Sequence, residues 1–275
     1  MSRELALLSL DGLSVGDACG AQFFARPRTD DFPPDGTWPW TDDTEMACLL
    51  LAELLEHGEV DQDRLVASFA EHCDPYRGYG PGAVVVLHRV RDGVPWREAA
   101  ATAYRGGGSC GNGAAMRVAP LGAFFAGDPA AAVEQAVRQA EVTHGHPEGV
   151  AGAVAVAVAA SLPGPGLLDA VLDHLGDGEV RRGVERARGL LGRSVAEAAH
   201  ELGNGSRSTA QDTVPFALWV AASRADDYPA AIRACVDAGG DMDTTAAMVG
   251  GVVATRTGVP ENWLNHREPL PMLPR

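Results

Sequence analysis

The stretch Val150-Ala151-Gly152-Ala153-Val154-Ala155-Val156-Ala157-Val158-Ala159-Ala160 decides the fold class. Its alternation of valine and alanine fits a buried strand, and its length and small side chains fit a helix packed on all sides. Length arbitrates: buried strands run about 4–8 residues and helices at least about 10. A helix is therefore expected here. The apolar run extends to Leu162, short of the ~20 residues that span a bilayer.

Helical signals dominate outward from this run. Thr44 to His57 is rich in Leu, Ala, Glu and Met, which are good helix formers, and Gly58 stops it. Arg64 to His72, Pro95 to Tyr104 and Pro129 to Val142 read as amphipathic helices, as do Val180 to Leu191, Ser194 to Leu202, Val214 to Ala225 and Tyr228 to Asp237. Few segments carry the period-2 pattern of a half-exposed strand. The expectation is an all-α fold with glycine-rich turns, a proline-rich loop over residues 26–40 and a proline-rich tail over 264–275.

The chain has 275 residues, 46% hydrophobic and 21% charged, enough to bury a sizeable core. Asp plus Glu number 37 against 22 Lys plus Arg, for a formal charge of −15. No lysine occurs, which excludes a lysine nucleophile, a Schiff base and a P-loop. An extended nucleic-acid surface is also disfavoured, because it needs a basic stripe. The five cysteines (Cys19, Cys48, Cys73, Cys110 and Cys235) are scattered and form no C-x-x-C, so a reducing cytoplasm is expected. Leu5 to Leu10, bracketed by Glu4 and Asp11, is too short for a signal peptide.

Two acidic motifs precede helical runs: Thr41-Asp42-Asp43-Thr44, and Asp241-Met242-Asp243-Thr244-Thr245 after Gly239-Gly240. Two readings stand. Short acceptors cap helix N-termini, worth ~1 kcal/mol each, and acids suit the positive end of the dipole. A cap needs only one acceptor, however, and each motif offers several. Oxygen-only donor sets suit a hard cation, Mg²⁺ first and Mn²⁺ second, and zinc is disfavoured because neither motif has His or Cys at ligand spacing. If the motifs meet, they would hold two ions ~3.5–4 Å apart.

Gly106-Gly107-Gly108-Ser109-Cys110-Gly111-Asn112-Gly113 precedes Ala114-Ala115-Met116-Arg117. It reads either as a loop whose backbone approaches a ligand or as a plain surface turn with Asn112 left-handed. In Thr143-His144-Gly145-His146, the two histidines lie two residues apart, so a helix would turn only one of them toward a given site.

In this order, Gly16-Asp17-Ala18-Cys19-Gly20-Ala21, Trp40-Thr41-Asp42-Asp43-Thr44-Glu45-Met46, Gly111-Asn112-Gly113-Ala114-Ala115-Met116-Arg117, Thr143-His144 and Gly239-Gly240-Asp241-Met242-Asp243-Thr244-Thr245 resemble the ADP-ribosylglycohydrolase family. The resemblance runs over roughly residues 5–263. It implies a single-domain compact orthogonal helical bundle over 1–263 with a central metal cleft and two Mg²⁺ ions. Thr41, Asp42 and Asp43 would be metal ligands on one side, and Asp241, Asp243 and Thr244 on the other. Ser109, Gly111, Asn112 and His144 would line an ADP-ribose site, with Tyr104 against adenine. The implied activity is hydrolysis of the glycosidic bond between ADP-ribose and an acceptor. Asp43 or Asp241 would take the proton of the attacking water. The partner would be an ADP-ribosylated substrate or ADP-ribose, and the protein a cytoplasmic monomer without a membrane anchor.

Two departures from the family pattern matter. Phe24 stands where many members carry a glutamate, and a phenyl ring moves no proton. Either Asp30 or Asp31 on the adjacent loop substitutes, or the reaction relies on metal-bound water, or activity is reduced, down to a weak or inactive ADP-ribose-binding module. Ser109 replaces an aspartate frequent in arginine-directed members, leaving serine, a nucleobase or a small molecule as acceptors. Asp17 reads as a group that orients a turn or a ligand from behind.

Overall fold

A computed structural model describes residues 1–26, 32–102 and 106–271. Among these residues the regular structure is helical: sixteen α-helices, two short 3-10 turns (Gln22–Phe24 and Pro75–Arg77) and no strand beyond isolated bridges. The all-α expectation holds.

The helices follow from local chemistry. α1 (Arg3–Ala21) starts where the Ser2 hydroxyl accepts the Leu5 N–H. Thr41 opens α2 (Asp42–His57), and Gly58, with φ 77°, ends it. Asp61 caps α3 (Gln62–His72). α4 (Pro81–Arg91) begins on a proline, where the missing N–H costs nothing. α5 (Trp96–Ala101), α6 (Gly113–Met116) and α7 (Ala119–Phe124) are short. Asp128 caps α8 (Pro129–Glu141). α9 (Pro147–Ser161) contains the Val/Ala run: Gly149 and every residue from Gly152 to Ser161 are buried. It packs against α6, α7, α8, α10 (Leu167–Leu172) and α13 (Ala210–Ser223), and small side chains on every face allow that close packing. α11 (Glu179–Gly189) follows. A reciprocal Ser194–Glu197 capping box then opens α12 (Val195–Leu202). Asp227 caps α14 (Tyr228–Ala238); α15 (Met242–Thr257) and α16 (Glu261–His266) complete the set.

α1 lies along α15, the most extensive helix pairing in the molecule. Gly12, Gly16 and Gly20, spaced by four, share one face of α1. A Cβ on any of them would collide with α15: at Gly12 with Gly250 and Ala254, at Gly16 with the Ala246 carbonyl, at Gly20 with the backbone of Met242 and Asp243. Cross-links seal the seam. The Ser9 hydroxyl donates to the Gly251 carbonyl at 2.7 Å, and the Tyr228 hydroxyl of α14 donates to the Gly12 carbonyl at 2.7 Å.

The segment after Trp263 is anchored. Glu268 N–H donates to the Trp38 carbonyl, and Trp38 N–H donates to the His266 carbonyl. Arg77 stacks on the Trp40 ring at 3.5 Å and pairs with Glu268 at 2.7 Å.

Gly16→Ala should lower unfolding stability by about 1–3 kcal/mol, because the clash is with backbone. Gly189→Ala, where a Cβ meets nothing within 4 Å, should be neutral or slightly stabilising. Urea unfolding of the two variants measures the contrast.

Candidate active site

The α1–α15 seam delivers Asp17 to the start of α2. Asp17 is completely buried. Its Oδ2 accepts the Thr41 N–H at 2.9 Å, the Thr44 N–H at 3.2 Å and the Thr44 hydroxyl at 2.5 Å; its Oδ1 accepts the Thr41 hydroxyl at 2.8 Å. Asp17 thus braces the first turn of α2 from behind. The Thr41 hydroxyl also accepts the Asp43 N–H and lies 3.1 Å from Asp43 Oδ2. With capping shared between Thr41 and Asp17, Asp42 and Asp43 face a cleft of about 240 Å³. Asp43 Oδ1 is buried and has no hydrogen-bond partner among the described residues.

Asp241 precedes α15 but makes no side-chain cap. Its Oδ2 instead accepts from the Asn112 amide at 2.7 Å, and the same amide donates to the Thr213 hydroxyl at 3.1 Å. Asp243 Oδ1 accepts the Thr244 N–H at 2.7 Å. Asp241, Asp243 and Thr244 line the same cleft as Asp42 and Asp43. Oxygens of Asp17, Asp43 and Asp243 lie within 4.8 Å of one another. The structure therefore brings the two acidic motifs together and adds Asp17 to them. In the sequence, Asp17 had no acidic neighbour to mark it as more than a brace.

Crowding sets the electrostatics. Burial, then the charges of Asp17 and Asp243, hold the Asp43 carboxyl well above the usual carboxylate range. Asp243 is raised by burial and by Asp241. Burial followed by Asp17 pushes Asp42 up to about 8. Asp17 and Asp241 are raised by burial in spite of their hydrogen bonds. Among the described residues lining the cleft there is no arginine. The N-termini of α2 and α15 supply the nearest backbone compensation.

Ser109, Gly111, Asn112 and His144 line the opposite wall. Asn112 has φ −81°, so it is right-handed, and the turn reading gives way to one in which its amide orients Asp241. Gly111 and Gly113 have no positive φ. They leave room for the His144 ring: a Cβ on Gly113 would lie 2.8 Å from His144 Cε1, and one on Gly111 would lie 3.1 Å from Nε2. His146 turns away and caps α9 by accepting the Glu148 N–H. Residues 78–83 form part of the rim, with Gly78 (φ 100°) beside Asp42. The density of glycine in Gly78-Tyr79-Gly80-Pro81-Gly82 was the only sequence mark of that rim. Ser208 also lines the cleft, at φ 51°; no sequence signal marked it. Phe24 is 56% exposed and is not among the described lining residues. Tyr104, Asp30 and Asp31 lie outside the described residues.

An all-α fold that gathers aspartates from three helices around one cleft, faced by neutral donors and without a lysine, is the architecture of a carboxylate-dependent hydrolase. The family profile described as ADP-ribosylglycohydrolase matches residues 2–272, and the chain belongs to that family. It is 30% identical to ADP-ribosylhydrolase ARH3 of Bos taurus, covering 92% of this chain and 86% of that one. It is 28% identical to the ADP-ribosyl-(dinitrogen reductase) glycohydrolase of Rhodospirillum rubrum, covering 96% and 90%. A solved ADP-ribosylglycohydrolase-related protein complex aligns with TM-score 0.69 and 29% identity, covering 96% of this chain and 92% of that one. The chain is a glycohydrolase by family. No described helix is long and apolar enough to cross a membrane.

Raised carboxyl pKa values make a signed prediction. The fold favours the protonated acids, so their contribution to stability is fully present below the ordinary carboxylate range. It is lost as pH rises through the folded values, up to about 8 for Asp42. In chelator, the melting temperature of the wild type should fall from pH 6 to pH 8.5. Asp42→Asn should flatten that fall in scanning calorimetry.

Proposed function

We propose that this cleft holds two divalent cations, Mg²⁺ first and Mn²⁺ second, and hydrolyses the glycosidic bond between ADP-ribose and an acceptor. The observation that carries the reading is the convergence of Asp17, Asp42, Asp43, Asp241 and Asp243, with Asp43 Oδ1 buried and unpartnered among the described residues. Buried like charges without a cation cost several kcal/mol each, and oxygen-only donors fit hard divalent ions. Thr41, Asp42 and Asp43 would ligate from the α2 side, and Asp241, Asp243 and Thr244 from the α15 side. Bound cations would neutralise the carboxylates and polarise water and ribose hydroxyls.

The chain's own groups do the rest. Asp17 fixes the α2 turn that presents Asp42 and Asp43. Asn112 holds Asp241 in place. Asp43 or Asp241 takes the proton of the attacking water. As the water oxygen bonds to the anomeric carbon, the bond from that carbon to the acceptor breaks, and the carboxylic acid so formed returns its proton to the departing acceptor. Ser109, Gly111, Asn112 and His144 would line the ADP-ribose site. The unit is assigned to residues 1–263 and is read as monomeric. A reducing cytoplasm is supported by five unpaired cysteines, four of them buried.

A second reading, binding without turnover, is favoured by Phe24, whose exposed ring supplies no acid or base. Wild-type protein with Mg²⁺ should release ADP-ribose from at least one member of a panel carrying ADP-ribosyl-Arg, -Ser, -nucleobase and -phosphate. Asp42→Ala and Asp243→Ala should each lower that rate ~100-fold or more with helical circular dichroism intact; undiminished release by either refutes the site. Tight ADP-ribose binding with turnover appearing only in Phe24→Glu would establish the second reading.

A further inference from the structure

Behind the neutral wall of the cleft lies a buried cation that the proposed chemistry leaves without a task. Arg117, directly after α6, is 0% exposed. Its Nε donates to Gln139 Oε1 at 2.8 Å, and its Nη2 donates to the Gln139 carbonyl and to the Thr143 hydroxyl, each at 2.9 Å. Its Cζ stands 4.7 Å over the Phe69 ring. Among the described residues no carboxylate pairs with it. The Thr143 hydroxyl in turn lies 2.8 Å from His144 Nδ1.

A guanidinium only donates. The Thr143 oxygen therefore spends a lone pair on Arg117, and its single proton has one described acceptor within reach, His144 Nδ1. A buried hydroxyl proton is seldom left unpaired, so Nδ1 is assigned as its acceptor and the ring proton sits on Nε2. Burial and the neighbouring Arg117 charge push His144 down to about 3, so the imidazole is neutral, in agreement with this assignment. Gly111 and Gly113 face the ring with no Cβ between. Nε2 has no partner among the described residues, and the residue lines the cleft.

We infer that Arg117 and Thr143 are positioning residues: through the chain Arg117 guanidinium, Thr143 hydroxyl, His144 Nδ1, they lock His144 as a neutral Nε2–H donor directed at an oxygen acceptor of the ligand. A donor of fixed tautomer suits a diphosphate or ribose oxygen and rejects a ligand that offers a donor at that point. The identity of the ligand rests on the ADP-ribose reading; the tautomer does not.

The test uses full-length protein labelled with ¹⁵N-histidine, with ring signals assigned through His144→Gln. In wild type, His144 should show a bare Nδ1 and a protonated Nε2. Thr143→Ser, which keeps the hydroxyl, should preserve both that signature and ADP-ribose affinity. Thr143→Val should give mixed tautomers and bind ADP-ribose about 5–10-fold more weakly by calorimetry, the loss of about one hydrogen bond. A wild-type ring protonated at Nδ1, or Thr143→Ser behaving as a tautomer mixture, overturns the inference even if the valine variant fails to fold. So does an unchanged tautomer in folded Thr143→Val. Absence of ADP-ribose binding by every version, with the tautomer as stated, refutes the substrate reading alone.

Discussion

The closeness of α1 and α15 is the constraint on which the site depends. Three glycines at four-residue spacing, Gly12, Gly16 and Gly20, carry no Cβ where α1 meets α15, so two backbones approach as side chains there would not permit. Asp17 follows Gly16, and Asp243 sits in the first turn of α15, against Gly20. Separating the helices by the width of one methyl group would pull those carboxylates apart and withdraw the acceptor that organises Thr41 and Thr44. Packing and chemistry are here the same contact.

The cleft that results is electrostatically lopsided. One wall carries convergent carboxylates whose ionisation is resisted by burial and by one another. The other carries backbone, a hydroxyl, an amide and a neutral imidazole. The nearby guanidinium is tied to Gln139 and Thr143. A fixed cation salt-bridged to the aspartates would satisfy them permanently; its exclusion leaves their oxygens open to exchangeable ions and ligand. The His144 imidazole, bonded to the Thr143 hydroxyl and to no carboxylate, can meet a ligand oxygen without competing for the aspartates.

Much of this was legible in residue types and spacing. The amphipathic runs gave α3, α8, α11, α12 and α14 to within a few residues, since each has a wet and a dry face. The Val/Ala run resolved as a helix because its length exceeded that of a strand. Both acidic motifs were visible as excess acceptors before helices. α1 and α4 were not legible: α1 is buried over most of its length and shows little periodicity, and α4 starts inside a Gly/Pro cluster that resembles a loop. Of the helix predicted over Pro95 to Tyr104, the described residues show Trp96–Ala101. Asp17, Ser208 and the rim at 78–83 were assembled by tertiary contact across long sequence separations. The glycines at 111 and 113 looked like turn residues because nothing local reveals that an imidazole 33 and 31 residues away occupies the space of their missing side chains.

Trp40 is held under Arg77, and Arg77 is held by Glu268. Its indole N–H also donates to the Pro269 carbonyl at 3.2 Å. Trp40 adjoins Thr41, so the last described stretch of chain is mechanically wired to the first acidic motif. This segment acts as a clasp on the site: slack introduced near Glu268 reaches the α2 turn by two side-chain steps, through Arg77 and the buried Trp40.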